Sequence, residues 1–172
     1  DCLKGDLHSD KEVLVLGDSH AAMLNLFFDK LGKELGFKAR IITASSCVTI
    51  PEFDYERLPE WAQRPCLEQI KEAQKYLPQA DIVFLAAFWS WQLPSTAFQK
   101  ALNDFLRQEA STGKQVYLIE QEPLLKENPL RAIRLKESVA IDPTYLQANR
   151  AIREIITRHP NTVSLNFEET GI

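Results

Sequence analysis

Two rhythms of hydrophobic and polar positions alternate along this chain. Val13-Leu14-Val15-Leu16 is a short, wholly apolar run behind Lys11-Glu12, the pattern of a strand buried on both faces. From His20 to Leu35 the spacing becomes helical, with Met23, Leu24, Phe27, Phe28, Leu31 and Leu35 as its apolar positions and Gly36 as a C-terminal cap. Ala39 to Thr43 predicts a second strand. Leu67, Ile70, Ala73 and Leu77 mark the apolar face of a helix, with Tyr76 beside it and Pro78 ending it. A third strand spans Asp81 to Ala87 and is again almost wholly apolar. Phe98, Ala101, Leu102 and Phe105 predict a helix reaching Ala110, capped by Ser95 or Thr96. Gln115 to Glu120, introduced by Gly113, reads as a fourth strand. The polar stretch from Gln121 to Asp142 reads as a long loop with one helical turn. Asp142-Pro143 opens a last helix to His159, and Thr162 to Leu165 is a short fifth strand.

Strands separated by helices of this length imply parallel βαβ units. The expected fold is therefore α/β: a three-layer α/β/α sandwich around a parallel five-stranded, flavodoxin-like sheet. Ligands bind such sheets outside the carboxyl ends of the strands. Gly17-Asp18-Ser19-His20, the loop after the second strand and Phe88-Trp89-Ser90-Trp91 all fall on that edge. The 172 residues suit a single domain, 1–172. The abrupt opening Asp1-Cys2 suggests that this domain comes from a longer protein.

Composition narrows the function classes. Hydrophobic residues make up 45% and charged residues 26%, which is ordinary for a globular domain. The net charge of −4, with Lys and Arg scattered, gives no footprint for nucleic acid. No apolar run reaches the roughly 18 residues of a membrane-spanning helix, and no metal or cofactor is expected. The cysteines add a constraint. Val48 to Pro65 is irregular and holds three prolines, and a long connection of that kind is usually functional or pinned. A Cys47–Cys66 disulfide would pin it, contributing about 3 kcal/mol by loop closure; two unrelated buried thiols are the other reading. A disulfide would imply an oxidising compartment. Cys2 is then left over, either free or paired elsewhere.

A serine between a strand end and a helix start exposes its hydroxyl, and its backbone N–H points to the same ligand position. The helix N-terminus adds a field that favours a developing oxyanion. Ser19 stands there as candidate nucleophile; a simple helix-capping role is the plainer alternative. The block from Val13 to His20 resembles the SGNH (GDSL-type) hydrolase family, whose nucleophile lies in a Gly-Asp-Ser signature after the first strand. Gly17-Asp18-Ser19-His20-Ala21 more specifically resembles the SGNH domain fused to membrane acyltransferase family 3 proteins. Ser45-Ser46-Cys47 after the second strand, the second cysteine Cys66, and a strand ending in Ala86-Ala87-Phe88-Trp89 match the same subgroup, over roughly residues 1 to 170.

The resemblance implies a bacterial envelope enzyme that places or removes an acyl group, usually acetyl, on hydroxyls of a surface polysaccharide. A membrane acyltransferase domain in the parent chain would supply the acyl group on the periplasmic or extracellular face. Ser19 would carry it as an acyl-enzyme to a carbohydrate acceptor or to water. Trp89 and Trp91 would stack on a sugar face, or else pack in the core. Two departures from the family stand out. No Gly-x-Asn-Asp follows the third strand, so the oxyanion hole would rest on the Ser19 N–H and a group near Ser46. No Asp-x-x-His occurs in the chain, and His8, His20 and His159 fit that role poorly. The expectation is that the chain lacks the C-terminal end carrying that motif, which would leave the fragment inactive. A degenerate SGNH domain that binds or positions a glycan for a membrane acyltransferase is the alternative.

Overall fold

The computed structural model describes residues 2–125, 129–136 and 138–167. Its strands are β1 (Cys2–Gly5), β2 (Glu12–Gly17), β3 (Lys38–Thr43), β4 (Ile82–Ala86), β5 (Gln115–Ile119), β6 (Leu124–Leu125), β7 (Ile141–Asp142) and β8 (Thr162–Leu165). The α-helices are α1 (Ser19–Ala22), α2 (Asn25–Leu35), α3 (Glu60–Tyr76), α4 (Trp89–Gln92), α5 (Thr96–Ser111), α6 (Pro129–Leu135) and α7 (Thr144–Ile156).

The main sheet runs β1-β3-β2-β4-β5-β8, with every pair parallel except β1–β3. Its five parallel strands take the expected flavodoxin-like order, but the sheet has six strands rather than five. The extra strand, β1, pairs antiparallel along β3 from Cys2↔Ile41 to Gly5↔Lys38. Its sequence Cys-Leu-Lys-Gly has no apolar alternation to announce it, and Leu3 faces solvent. The pairing edge of β3 makes it a strand, not its own propensity.

Period-two alternation sorts the strand side chains between two cores. Leu14 and Leu16 of β2, with Val83, Leu85, Val116 and Leu118, face the helices α3, α5 and α7. Val13 and Val15, with Ala39, Ile41, Phe84 and Ile119, face Ala21 and Phe28 on the α1–α2 side. The three layers of the sandwich are thus in place.

Several helices differ from their reading in sequence. The helix expected from His20 to Leu35 is broken at Met23-Leu24, so its apolar face is not continuous: Phe28 is buried while Met23 and Leu35 are exposed. Gly36 does cap α2 in the left-handed region, at φ 78°. Helix α3 begins at Glu60, ahead of Pro65, which the sequence placed in a loop. Pro65 forgoes one helical bond near the start of α3, where the flanking Trp61 is exposed. The buried face of α3 is Ala62, Cys66, Ile70 and Ala73; Leu67 points outward because Cys66 fixes the helix's rotation. Helix α5 matches its expected face, and the Ser95 hydroxyl accepts from the Phe98 N–H at 3.1 Å as its cap. Helix α7 stops at Ile156, short of His159. The expected loop between Gln121 and Asp142 contains a two-stranded ribbon, β6–β7, around the short helix α6.

Candidate active site

The strand-end loops after β2, β3 and β4 meet at one rim. Gly17 ends β2 at φ 152°, and a Cβ there would lie 1.8 Å from the Ala86 carbonyl oxygen of β4. Only glycine allows that approach, and it lets the chain turn directly into Asp18-Ser19. Its N–H donates to the Thr49 hydroxyl at 3.2 Å, which in turn donates to the Ile42 carbonyl at 2.7 Å. The turn is thereby tied to β3 as well.

Asp18 is buried and caps α1: its Oδ1 accepts from the His20 N–H at 2.9 Å. Its Oδ2 accepts from the Phe88 N–H at 2.9 Å and from the Gln92 side-chain amide at 3.0 Å. Three donors from two loops satisfy a carboxylate that burial would otherwise penalise heavily. Ser19 follows as the first residue of α1 and is exposed, and among the described residues its hydroxyl makes no hydrogen bond. Helix α1 is a single turn of 4 residues, so the macrodipole invoked from sequence is that of one turn. The local N–H groups, not a long helix, carry any field at Ser19.

Ser46 lies in the loop after β3 and adopts φ 57°, a conformation that favours glycine. Its carbonyl accepts from the Gln92 amide at 3.2 Å. The next residue, Cys47, is disulfide-bonded to Cys66 of α3, with both cysteines fully buried. The pinning disulfide expected from sequence is present. Cys2 is a free, half-buried thiol.

The tryptophans part company. Trp89 is 0% exposed, and its indole N–H donates to the Ile119 carbonyl at 2.8 Å. It offers no face to a sugar, which corrects the binding role expected of it: the first turn of α4 drives it into the core. Trp91 is 41% exposed and carries the Arg57 guanidinium 4.5 Å over its ring. Arg57 also donates to Asp54 at 2.6 Å and to the side-chain amide oxygen Oε1 of Gln92.

Of the histidines, His20 stacks on Phe88, with ring centroids 4.7 Å apart and planes within 8°. Burial pushes its pKa down, against the raising effect of Asp18. His20 and Phe167 line a cleft of about 120 Å³ with Ala86, Ala87, Ile119 and Pro123, at the carboxyl ends of β4 and β5. His159 is buried elsewhere, with its Nε2 2.9 Å from Asn103 Oδ1, and His8 is exposed. Among the described residues no cluster of His, Cys, Asp or Glu is set to hold a metal, and no helix is long and apolar enough to cross a membrane.

The structure thus brings Ser19 and Ser46 to one rim through residues that sequence reasoning passed over: Gln92, Arg57 and Asp54. The signal for Gln92 was a lone amide in a mostly aromatic and apolar run, Phe88 to Leu93, whose other polar residue is Ser90. Nothing in the spacing pointed to Arg57.

A flavodoxin-like sheet with an exposed serine following Gly-Asp at the end of its first parallel strand defines an SGNH-type hydrolase fold. Comparison with known families bears this out: residues 1–165 match the SGNH domain described as fused to AT3 domains, and the chain belongs to that family. Membership points to acyl chemistry of the esterase or acyltransferase type, and to a membrane acyltransferase domain as its companion. No curated protein and no solved structure matches the chain.

Proposed function

We propose that this domain transfers an acyl group, acetyl foremost, to a hydroxyl of a cell-envelope polysaccharide, or hydrolyses such an ester, with Ser19 as nucleophile. The observation that carries the reading is the presentation of Ser19: an exposed hydroxyl on a turn whose preceding carboxylate, Asp18, caps that turn and ties the segment after β4 to it. In the first step the Ser19 oxygen bonds to the donor's acyl carbon, loses its proton to a base, and expels the donor's leaving group. In the second, the acceptor hydroxyl or water attacks the acyl-enzyme, gives up its proton, and restores Ser19. The Ser19 N–H and the backbone near Ser46 are the candidate oxyanion donors. Exposed Trp91, flanked by Arg57, keeps the sugar-stacking role that the sequence suggested for both tryptophans. The activating Asp and His belong to an Asp-x-x-His motif that does not occur in these 172 residues. A serine without its base is a weak nucleophile, so this chain alone is inactive or nearly so.

The buried disulfide supports an oxidising location, the periplasmic or outer face of a membrane to which the companion domain tethers the protein. The unbonded Ser19 hydroxyl also favours a second reading, a degenerate domain that positions a glycan for its membrane partner. Release of acetate from an aryl acetate by the full-length protein separates the two. Ser19→Ala should lower the rate by about 1,000-fold or more; equal rates for wild type and variant overturn the catalytic reading.

A further inference from the structure

Gln92 has a fixed orientation and three bonds, and each bond leads to a different part of the rim. It is fully buried, so every polar atom it carries needs a partner. Both hydrogens of its Nε2 are committed, one to Asp18 Oδ2 at 3.0 Å and one to the Ser46 carbonyl at 3.2 Å. Its Oε1 accepts from the Arg57 guanidinium, which can only donate. A flipped amide would set its oxygen against a carboxylate and a carbonyl, and its NH2 against a cation. Arg57 therefore locks the amide in one sense. Arg57 itself is held by Asp54, which also accepts from the Ser95 hydroxyl, and by packing over Trp91 and Phe53.

We propose that Gln92, oriented by Arg57, is a positioning residue that sets the spacing between the Ser19 turn and the Ser46 loop. The proposal rests on the reading of Ser19 as nucleophile. Asp18 and Ser46 follow different strands, and Gln92 is the one side chain among the described residues that hydrogen-bonds both. Ser46 holds a conformation that a non-glycine residue seldom takes. The disulfide anchors that loop on one side of Ser46, and the Gln92 bond draws its carbonyl towards Asp18 on the other. If backbone N–H groups of both loops receive the same oxyanion, their separation must match it within a fraction of an ångström. Gln92 is buried beneath them, so its loss changes the reacting geometry and not the contact with substrate.

The test measures aryl acetate turnover by the full-length protein for wild type, Ser19→Ala, Gln92→Met, Gln92→Glu and Arg57→Lys. Gln92→Met keeps the side chain's length without its hydrogen bonds. It should lower kcat by about 10- to 100-fold while KM stays within about twofold. Gln92→Glu keeps the acceptor that faces Arg57 but turns a second carboxylate towards Asp18. Its activity relative to wild type should rise as the pH falls and the new carboxyl regains a proton to donate, a profile that mere loss of packing would not produce. Arg57→Lys, which lacks the fork needed to hold Asp54 and Gln92 together, should lower kcat less, with KM again unchanged. It decides the matter if the Gln92 variants fail to fold. A folded Gln92→Met with wild-type kcat overturns the proposal, as does a folded Arg57→Lys with wild-type kcat where the Gln92 variants do not fold. A Gln92→Glu/wild-type activity ratio that does not change with pH overturns it too. Activity in Ser19→Ala equal to wild type would instead remove the nucleophile reading beneath it.

Discussion

Gly17 carries the sharpest steric demand at the rim. Any side chain there meets the Ala86 carbonyl oxygen and the Ala21 Cβ, both parts of packed elements with little room to retreat. Gly17→Ala should therefore destabilise the fold by about 3 kcal/mol or more, read as a fall in the urea midpoint with little change in slope. A loss under about 1 kcal/mol would mean that β2 and β4 separate more easily than their register implies. This residue was legible in the sequence because Gly-Asp-Ser joins a glycine to a polar pair directly after an apolar run. Asp18 was legible only as part of that motif. Its burial, and its bonds to Phe88 and Gln92, depend on contacts 70 and 74 residues away in the chain, which no local pattern encodes.

At the scale of elements, the apolar runs predicted the parallel strands and α5 well, since each is buried along a full face and its spacing reports that directly. Elements set by tertiary contact were harder to read. β1 exists through its partner β3, and the start of α3 was obscured by Pro59 and Pro65, which resemble loop punctuation. The disulfide belongs to this scale, because it joins the loop after β3 to α3 across 19 residues. Replacing Cys47 and Cys66 together with alanine should lower stability by about 3 kcal/mol in urea titration. Both sulfurs are buried, so alkylation of the native protein should modify Cys2 alone, with the other two cysteines reacting only after unfolding and reduction. Mass spectrometry showing Cys47 or Cys66 labelled in the native state would contradict that assignment.

For the whole molecule, two histidines link stability to pH. Burial lowers the pKa of His20, and burial with Arg107 and Arg158 nearby lowers that of His159. The unfolded chain therefore binds these protons more readily than the folded one. Their contribution is fully present above about pH 6.5 and is lost as the pH falls towards the depressed folded values. Urea midpoints should accordingly be lower at pH 5.5 than at pH 7.5, and a His20→Gln/His159→Gln variant should narrow that gap; an unchanged gap would refute the assignment. Asp29, Glu72 and Asp104 have pKa values lowered from the ordinary carboxylate range, so they titrate below this window. The layered architecture and strand order were legible at this scale, because alternating strand and helix patterns with right-handed crossovers leave few topologies. The placing of three strand-end loops on one rim was legible for the same reason; the Gln92 side-chain bonds that join them were not, because they connect segments 74 and 46 residues apart in the chain. One further consequence follows from the direction of β1. It runs antiparallel to its one neighbour, β3, from Cys2 beside Ile41 near the carboxyl end of β3 to Gly5 beside Lys38 at the other end. A polypeptide joined at Cys2 is therefore delivered to the rim where Ser19 lies, not to the opposite edge of the sheet. A group carried on such a tether would meet the serine at an effective concentration set by linker length, in the millimolar range for a short flexible one, without needing affinity of its own.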